Sequence, residues 1–261
     1  MLVSSVPEPT APAVSTTGTI FALIARGGKR LALGDRTYEY RAGEYLVASV
    51  DLPITGRFTE ASLGFGLALR PSVIASLLLD AGPTRAATPS GMAVTGASPE
   101  LLDAVVRMLR LLDRPEDAPV LAPMLEREIV WRLMNGEQGA TVRALGLADS
   151  SLTHISGVIG WIRDHHTERF AVGDLAARAG MSVSAFHRSF RTVTAMSPIQ
   201  FQKLIRLQEA RLRLLAQPDD VAGAGYAVGY DSPSQFSRDY RRQFGRPPGR
   251  DSARLRRVAA A

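Results

Sequence analysis

The chain has 261 residues, 46% of them hydrophobic and 21% charged, with four histidines and no cysteine. That composition can bury sizeable cores, excludes disulfides, thiolate nucleophiles and cysteine-ligated zinc, and leaves little material for a metal centre. No apolar run reaches the roughly 18 residues that a membrane span needs. The stretch from Phe65 to Asp80 comes nearest, and Arg70 and Pro71 break it. Residues 1–19 lack a basic start followed by an apolar core, so no secretory signal is expected. Pro7, Pro9 and Pro12 among Ser, Thr and Ala read as a mobile leader, and the expectation is a soluble, cytoplasmic protein.

After the leader, residues 20–60 predict strands. Ile20 to Ala25 is a short apolar run ended by Arg26-Gly-Gly28, and Lys29 to Leu33 follows with a Gly34-Asp35 turn. Tyr38, Tyr40, Tyr45 and Val47 continue the β-favouring chemistry across the Ala42-Gly43-Glu44 turn. Pro71 to Leu79 has helical periodicity with proline in its first turn. Residues 81–97 read as loop plus one more strand. Ser98-Pro99-Glu100 starts a helix to Leu112 with an apolar stripe of Leu102, Val105, Val106, Leu109 and Leu112. A second helix runs from about Leu121 to Met134 with Leu125, Ile129, Trp131 and Leu133. The pair suits either a dimer surface or a docked core hairpin. Residues 136–153 read as a linker between a region at 20–135 and one at 154–261.

Charge divides at about the same place. Residues 1–150 carry 14 basic and 16 acidic side chains, whereas residues 151–261 carry 17 and 9. Only Lys29 and Lys203 are lysine, so the basic half is an arginine surface, and the planar guanidinium suits bidentate contacts to phosphate or guanine.

The basic half repeats itself at a spacing of 50 residues. Ser184-Ala-Phe-His-Arg-Ser-Phe-Arg191 matches Ser234-Gln-Phe-Ser-Arg-Asp-Tyr-Arg241, each after a glycine (Gly180, Gly229) and before a proline (Pro198, Pro248). Each copy reads as helix, turn, helix. In the first, Asp174 to Ala179 is the short helix, Gly180 the turn and Ser182 or Ser184 the cap. Phe186 and Phe190 then face inward, leaving Ser184, His187, Arg188 and Arg191 outward. In the second, Ser232 caps, Pro233 opens the helix, Phe236 and Tyr240 face inward, and Ser234, Gln235, Arg238 and Arg241 face outward. Small, amide and guanidinium side chains on an exposed helix face suit reading base edges in a major groove; His187 reads equally as a plain surface residue. A long helix from Pro198 to Ala216 joins the copies, with Phe201, Leu204, Ile205, Leu207 and Leu212 packed. Lys203, Arg206, Arg211 and Arg213 are left for phosphates or solvent. A rigid helix of this length would hold two recognition helices about 34 Å apart, one turn of DNA.

Over residues 155–250 the sequence resembles the AraC/XylS family of bacterial transcription regulators. The resemblance lies in Leu175-Ala-Ala-Arg-Ala-Gly-Met-Ser-Val-Ser-Ala-Phe-His-Arg-Ser-Phe190, in Ser197-Pro-Ile-Gln-Phe201, and in Val228-Gly-Tyr-Asp-Ser-Pro-Ser-Gln-Phe-Ser-Arg-Asp-Tyr-Arg-Arg-Gln-Phe-Gly245. It implies one seven-helix domain with two recognition helices in successive major grooves, and base contacts at Ser184, His187, Arg188, Ser234, Gln235 and Arg238. Residues 20–135 resemble the family's N-terminal domain, through Gly28-Lys-Arg30, Gly34, Tyr38 to Tyr40, Gly43-Glu-Tyr-Leu46 and Ser49-Val-Asp-Leu-Pro53. That resemblance implies an α+β chain whose first part is a cupin-like β-sandwich with a trailing helical pair, serving as a sensing or dimerising domain. The implied partners are promoter DNA and a second copy of the chain, with RNA polymerase and a small-molecule effector left open.

The chain departs from the family in three places. Val221-Ala-Gly-Ala-Gly-Tyr-Ala-Val228 has glycine at 223 and 225, each costing a helix about 0.5–1 kcal/mol relative to alanine, so the second copy is expected to be looser. Asp251 stands where the family often has an aromatic residue. The leader also looks short, as if a sandwich-edge strand were missing.

Enzyme chemistry finds no support. A cupin metal site needs histidines and a carboxylate, and no histidine precedes His154. His165 and His166 diverge by about 100° on a helix and cannot share one ion. Gly64-Phe-Gly66 is too short for a nucleotide loop, and Gly157-Val-Ile-Gly160 lacks the flanking strand and lysine. Asp51 beside Pro53 reads as a turn cap or as the lining of a ligand pocket. No metal and no cofactor is expected. The sequence reads as a DNA-binding regulator; the alternative is a small-molecule or partner-protein binding module with weak or effector-dependent DNA contact.

Overall fold

The structure is a computed structural model that describes residues 1–82, 89–217 and 219–259. Two compact units emerge, residues 1–157 with 188–195 and residues 158–187 with 196–261.

The first unit is β followed by α. Its strands are β1 (Leu2–Val6), β2 (Ala13–Thr16), β3 (Ile20–Arg26), β4 (Gly28–Leu33), β5 (Arg36–Arg41), β6 (Glu44–Ala48), β7 (Pro53–Phe58), β8 (Ser62–Ala68) and β9 (Met92–Gly96). They form two antiparallel sheets, ordered β1-β8-β3-β6-β9 and β2-β7-β4-β5, the sandwich that the resemblance implied. The segment expected as a mobile leader is instead built into both sheets. Residues 2–6 pair with β8 and residues 13–16 with β7, so each sheet takes an edge strand from the segment read as mobile. Val3, Val6, Val14 and Thr16 supply β-branched side chains, while Pro7, Pro9 and Pro12 fall in the connection, where no ladder N–H is needed. Strand β8 also went unread, because its two glycines mask the alternation. A Cβ at Gly64 would meet the Ser4 hydroxyl at 2.8 Å, so the small residue is what lets β1 lie alongside. Asp51 is tied at long range, accepting from the Gly18 N–H at 3.0 Å.

Helices cover the five-stranded sheet. They are α1 (Pro71–Leu78), α2 (Pro99–Arg110), α3 (Ala118–Met134) and α4 (Gly139–Leu145). Phe21, Leu23, Tyr45, Phe65 and Leu67 from the sheet share one core with Ile74, Leu101, Val105, Met108, Ile129 and Leu133. Each large side chain so buried stabilises the fold by about 1.5–3 kcal/mol. Ser98 caps α2 as expected, accepting from the Leu101 N–H. The stripe of α2 is turned by about one residue from the sequence reading: Leu101, Ala104, Val105 and Met108 are buried, and Val106 and Leu112 are exposed. The stretch read as a linker holds α4, whose buried Arg143 donates to the carbonyls of Met134 and Gly82 and to Asn135 Oδ1. The segment 83–88, within the loop expected at 81–97, lies outside the described residues.

The helices α5 (Ser151–Asp164), α6 (Val172–Arg178), α7 (Val183–Thr194), α8 (Pro198–Ala216), α9 (Val221–Ala227), α10 (Pro233–Phe244) and α11 (Pro248–Ala259) follow, the seven that the resemblance implied. Helix α8 opens with a full capping box between Ser197 and Gln200. Its packed face includes Phe201, Leu204, Ile205 and Leu207 as read, but continues through Ala210, Arg211 and Leu214, while Leu212 is exposed.

Candidate nucleic-acid interface

Both helix-turn-helix copies close their turn in the same way. The Met181 N–H donates to the Ala176 carbonyl and the Tyr230 N–H to the Gly225 carbonyl, at 3.0 and 3.1 Å. These closures need a left-handed residue between the helices, which Gly180 (φ 63°) and Gly229 (φ 85°) supply. The next helix is then capped by serine: Ser182 Oγ accepts from the Ala185 N–H at 3.3 Å and Ser232 Oγ from the Gln235 N–H at 3.4 Å. Phe186, Phe190, Phe236 and Tyr240 are completely buried. On α7 that leaves Ser184, His187, Arg188 and Arg191 exposed, and on α10 Ser234, Gln235, Arg238 and Arg241. All eight sequence-predicted residues therefore stand in solvent, four to a helix.

The arginines and lysine of α8 behave otherwise than the sequence suggested. Arg211 is buried and donates through Nε to Asp251 Oδ2 at 2.8 Å and through Nη2 to Oδ1 at 3.3 Å. The Phe244 ring lies 4.6 Å from its guanidinium carbon, and the Tyr240 hydroxyl donates to Asp251 at 3.0 Å. Burial, then the Asp251 charge, pushes the Tyr240 hydroxyl well above its usual range and keeps it a neutral donor. Lys203 pairs with the buried Asp239 at 2.7 Å. Arg206 donates to the carbonyls of His166, Glu168 and Gly229, and burial lowers its pKa. Of the four, only Arg213 keeps an exposed head group, at 3.3 Å from Glu209. Periodicity cannot separate a phosphate contact from a buried ion pair, because the partner lies some 40 residues away in sequence.

The two glycines of the second copy, where looseness was expected, both stand against close neighbours. A Cβ on Gly225 would lie 3.0 Å from two carbons of the Phe236 ring, so the glycine lets the aromatic pack directly on the α9 backbone. At Gly223 the space is taken by the Asp220 carboxylate, which accepts from the Gly223 N–H at 2.8 Å and caps the helix.

Arg242, Arg246 and Arg250 are exposed too, at the end of α10 and the start of α11, and the sequence reading passed over them. Adjacency to Arg241 was the signal available for Arg242, and the density of arginine between 238 and 250 for the other two. His165 and His166 each place Nδ1 within 2.9 Å of a helix carbonyl, of Trp161 and of Arg163. Among the described residues, no group of three or more histidines and carboxylates is placed to hold a metal ion.

A family model described as the AraC-type transcriptional regulator N-terminus matches residues 1–141, and a helix-turn-helix domain model matches residues 175–254. The chain belongs to the AraC-type transcriptional regulators. Among its AraC-type relatives, the HTH-type transcriptional activator RhaS of Pectobacterium carotovorum is 29% identical over 94 residues, 36% of this chain and 34% of that protein. The chain thus spans about a third of the length of the two Pectobacterium RhaS proteins it matches. The thermoregulatory protein LcrF of Yersinia pestis is 25% identical over 214 residues, 80% of this chain and 72% of that one. An apo ToxT variant from Vibrio cholerae shares the fold, with a TM-score of 0.54 at 10% identity over 96% of both chains. The AraC-type assignment covers both ends of the chain, the β-sandwich by the first model and the paired helix-turn-helix copies by the second.

Proposed function

We propose that this protein is a sequence-specific DNA-binding transcription regulator. Residues 154–261 read duplex DNA with α7 and α10 in successive major grooves, and residues 20–135 modulate that reading. The observation that carries it is the repeated face: the same register on two helices is buried as aromatic and exposed as serine and arginine. Ser184, His187, Arg188, Ser234, Gln235 and Arg238 read bases. Arg191 and Arg241, with Arg242, Arg246 and Arg250, grip phosphate. The protein acts in the cytoplasm on promoter or operator DNA, with RNA polymerase and a small-molecule effector as further partners, and catalyses no reaction. No helix among the described residues is long and apolar enough to cross a membrane.

The regulator works as a homodimer through the α2–α3 hairpin. Val106, Leu112, Val120, Leu121 and Met124 stand exposed there, and a groove of about 830 Å³ runs past Leu121 and Met124. Single exposed apolar residues are ordinary; five on one hairpin support an association surface. The rival reading is a ligand-binding module with weak DNA contact; the direct packing of Phe236 on Gly225 favours an ordered second copy and so the regulator.

The test is selection of bound duplexes from a random pool by the purified protein at about 150 mM salt. Two boxes about 10–10.5 base pairs apart are expected. A single box would reduce the second copy to backbone contact, and no enrichment, with or without a dimer in solution, would sink the reading.

A further inference from the structure

Gln202 and Arg206 lie one turn apart on α8 and hold the same stretch of chain. Gln202 Nε2 donates to the carbonyls of His166 and Glu168, at 3.0 and 2.6 Å. Arg206 donates to those same two carbonyls through Nε and Nη2, and with Nη1 reaches the Gly229 carbonyl at 2.9 Å. His166 and Glu168 belong to the segment that leads into α6, the first helix of the first copy. Gly229 is the turn of the second copy. One guanidinium therefore joins three things: the connecting helix, the entry to one reading unit and the turn of the other. The two segments also touch without it, since a Cβ on Gly229 would lie 2.6 Å from the Thr167 carbonyl oxygen and 3.1 Å from the Arg206 guanidinium carbon. Because Gly229 is left-handed, any side chain there would both strain the turn and push these parts apart.

A surface arginine meant for phosphate would be solvated and free to move. Arg206 is instead half-buried, with all three of its nitrogens donating to backbone oxygens on two separate segments. Lysine could not reproduce this, because three hydrogen bonds in a planar fork need the guanidinium. The α8 helix also carries Lys203, paired with Asp239 next to Arg238, and so touches the second recognition helix itself.

We propose that Arg206 is a positioning residue that sets the separation of the two reading units, and with it the spacing between DNA boxes that the protein accepts. This rests on the two-box reading above. A phosphate contact would change affinity for every sequence alike; a spacer changes which spacing is preferred.

The experiment measures competition binding of the full chain to duplexes bearing both boxes, with the distance between them varied by one or two base pairs, and to duplexes bearing one box. Wild type should lose about tenfold in affinity when the spacing is shifted by two base pairs. Arg206→Ala should lose less than about threefold for the same shift, while its single-box affinity and salt slope stay near wild type. Arg206→Lys should fall between them, and carries the test if the alanine variant does not fold. Full retention of the wild-type spacing preference by either folded variant overturns the proposal. A uniform loss on single-box DNA with a flatter salt slope also overturns it, and makes Arg206 a phosphate contact. A wild type indifferent to spacing overturns the two-box reading instead, and the spacer role falls with it.

Discussion

The two helix-turn-helix copies present nearly the same outer face and are held from within by different means. In the first copy the reading helix turns Phe186 and Phe190 inward, and its cap and turn are ordinary serine and glycine devices. The second adds buried charge: Arg211 and Asp251 pair inside the fold, Tyr240 donates into that pair, and Lys203 neutralises Asp239. It also replaces a side chain by a backbone surface, at Gly225 under Phe236. A repeat therefore conserves geometry on the side that meets a partner, and the inner side is free to reach the same geometry by another route. Buried charge carries a risk that apolar packing does not, because removing one member strands the other.

That difference can be broken most severely at Asp251. Asp251→Ala leaves the Arg211 guanidinium buried without its carboxylate and should cost about 3–5 kcal/mol in chemical denaturation. A cost below about 1 kcal/mol would mean that Arg211 finds solvent by a side-chain swing. The shared outer face is tested next. Arg188→Ala and Arg238→Ala should each relax base preference at one position, by about 1–3 kcal/mol per lost bidentate contact, measured as competition between target and scrambled duplexes. Undiminished discrimination in both would refute the assignment of these two arginines.

A smaller effect separates the inner sides. Gly225→Ala improves helix propensity by about 0.5–1 kcal/mol but overpacks against Phe236, at about 1–3 kcal/mol, for a net loss near 1 kcal/mol. Shrinking the ring should recover it, so Gly225→Ala with Phe236→Leu should lose less than the two single changes added together. Strict additivity would show that the close approach does not matter. The smallest effect belongs to Arg213→Ala, which removes only an exposed pair with Glu209. Its melting should shift by less than about 0.5 kcal/mol equivalent, with base preference unchanged.

Much of the frame was legible from local chemistry. The strands from Ile20 to Ala48, the cap at Ser98, the glycine turns and the inward aromatics all answer to neighbours within a few residues, and all fall where the sequence predicts. The readings that failed share a cause. Residues 2–6 pair with residues 62–66, and neither strand advertises itself without the other. The α2 stripe was misplaced because Leu, Val and Met surround that helix and only its packing against α3 and the rest of the core chooses which face to bury. Arg206, Arg211 and Lys203 looked like a phosphate track because helical spacing records direction and never the distant partner.

The sequence by itself therefore determined the repeat, the identity of the exposed face and the class of ligand that such a face suits. Those properties are periodic and local, and helix geometry alone converts them into surfaces. Only the tertiary structure decided which cations are spent inside, on Asp251, on Asp239 and on the carbonyls of His166, Glu168 and Gly229, and which remain exposed. Burial of charge depends on partners tens of residues away, and the cost of desolvating an ion in their absence is what holds them together.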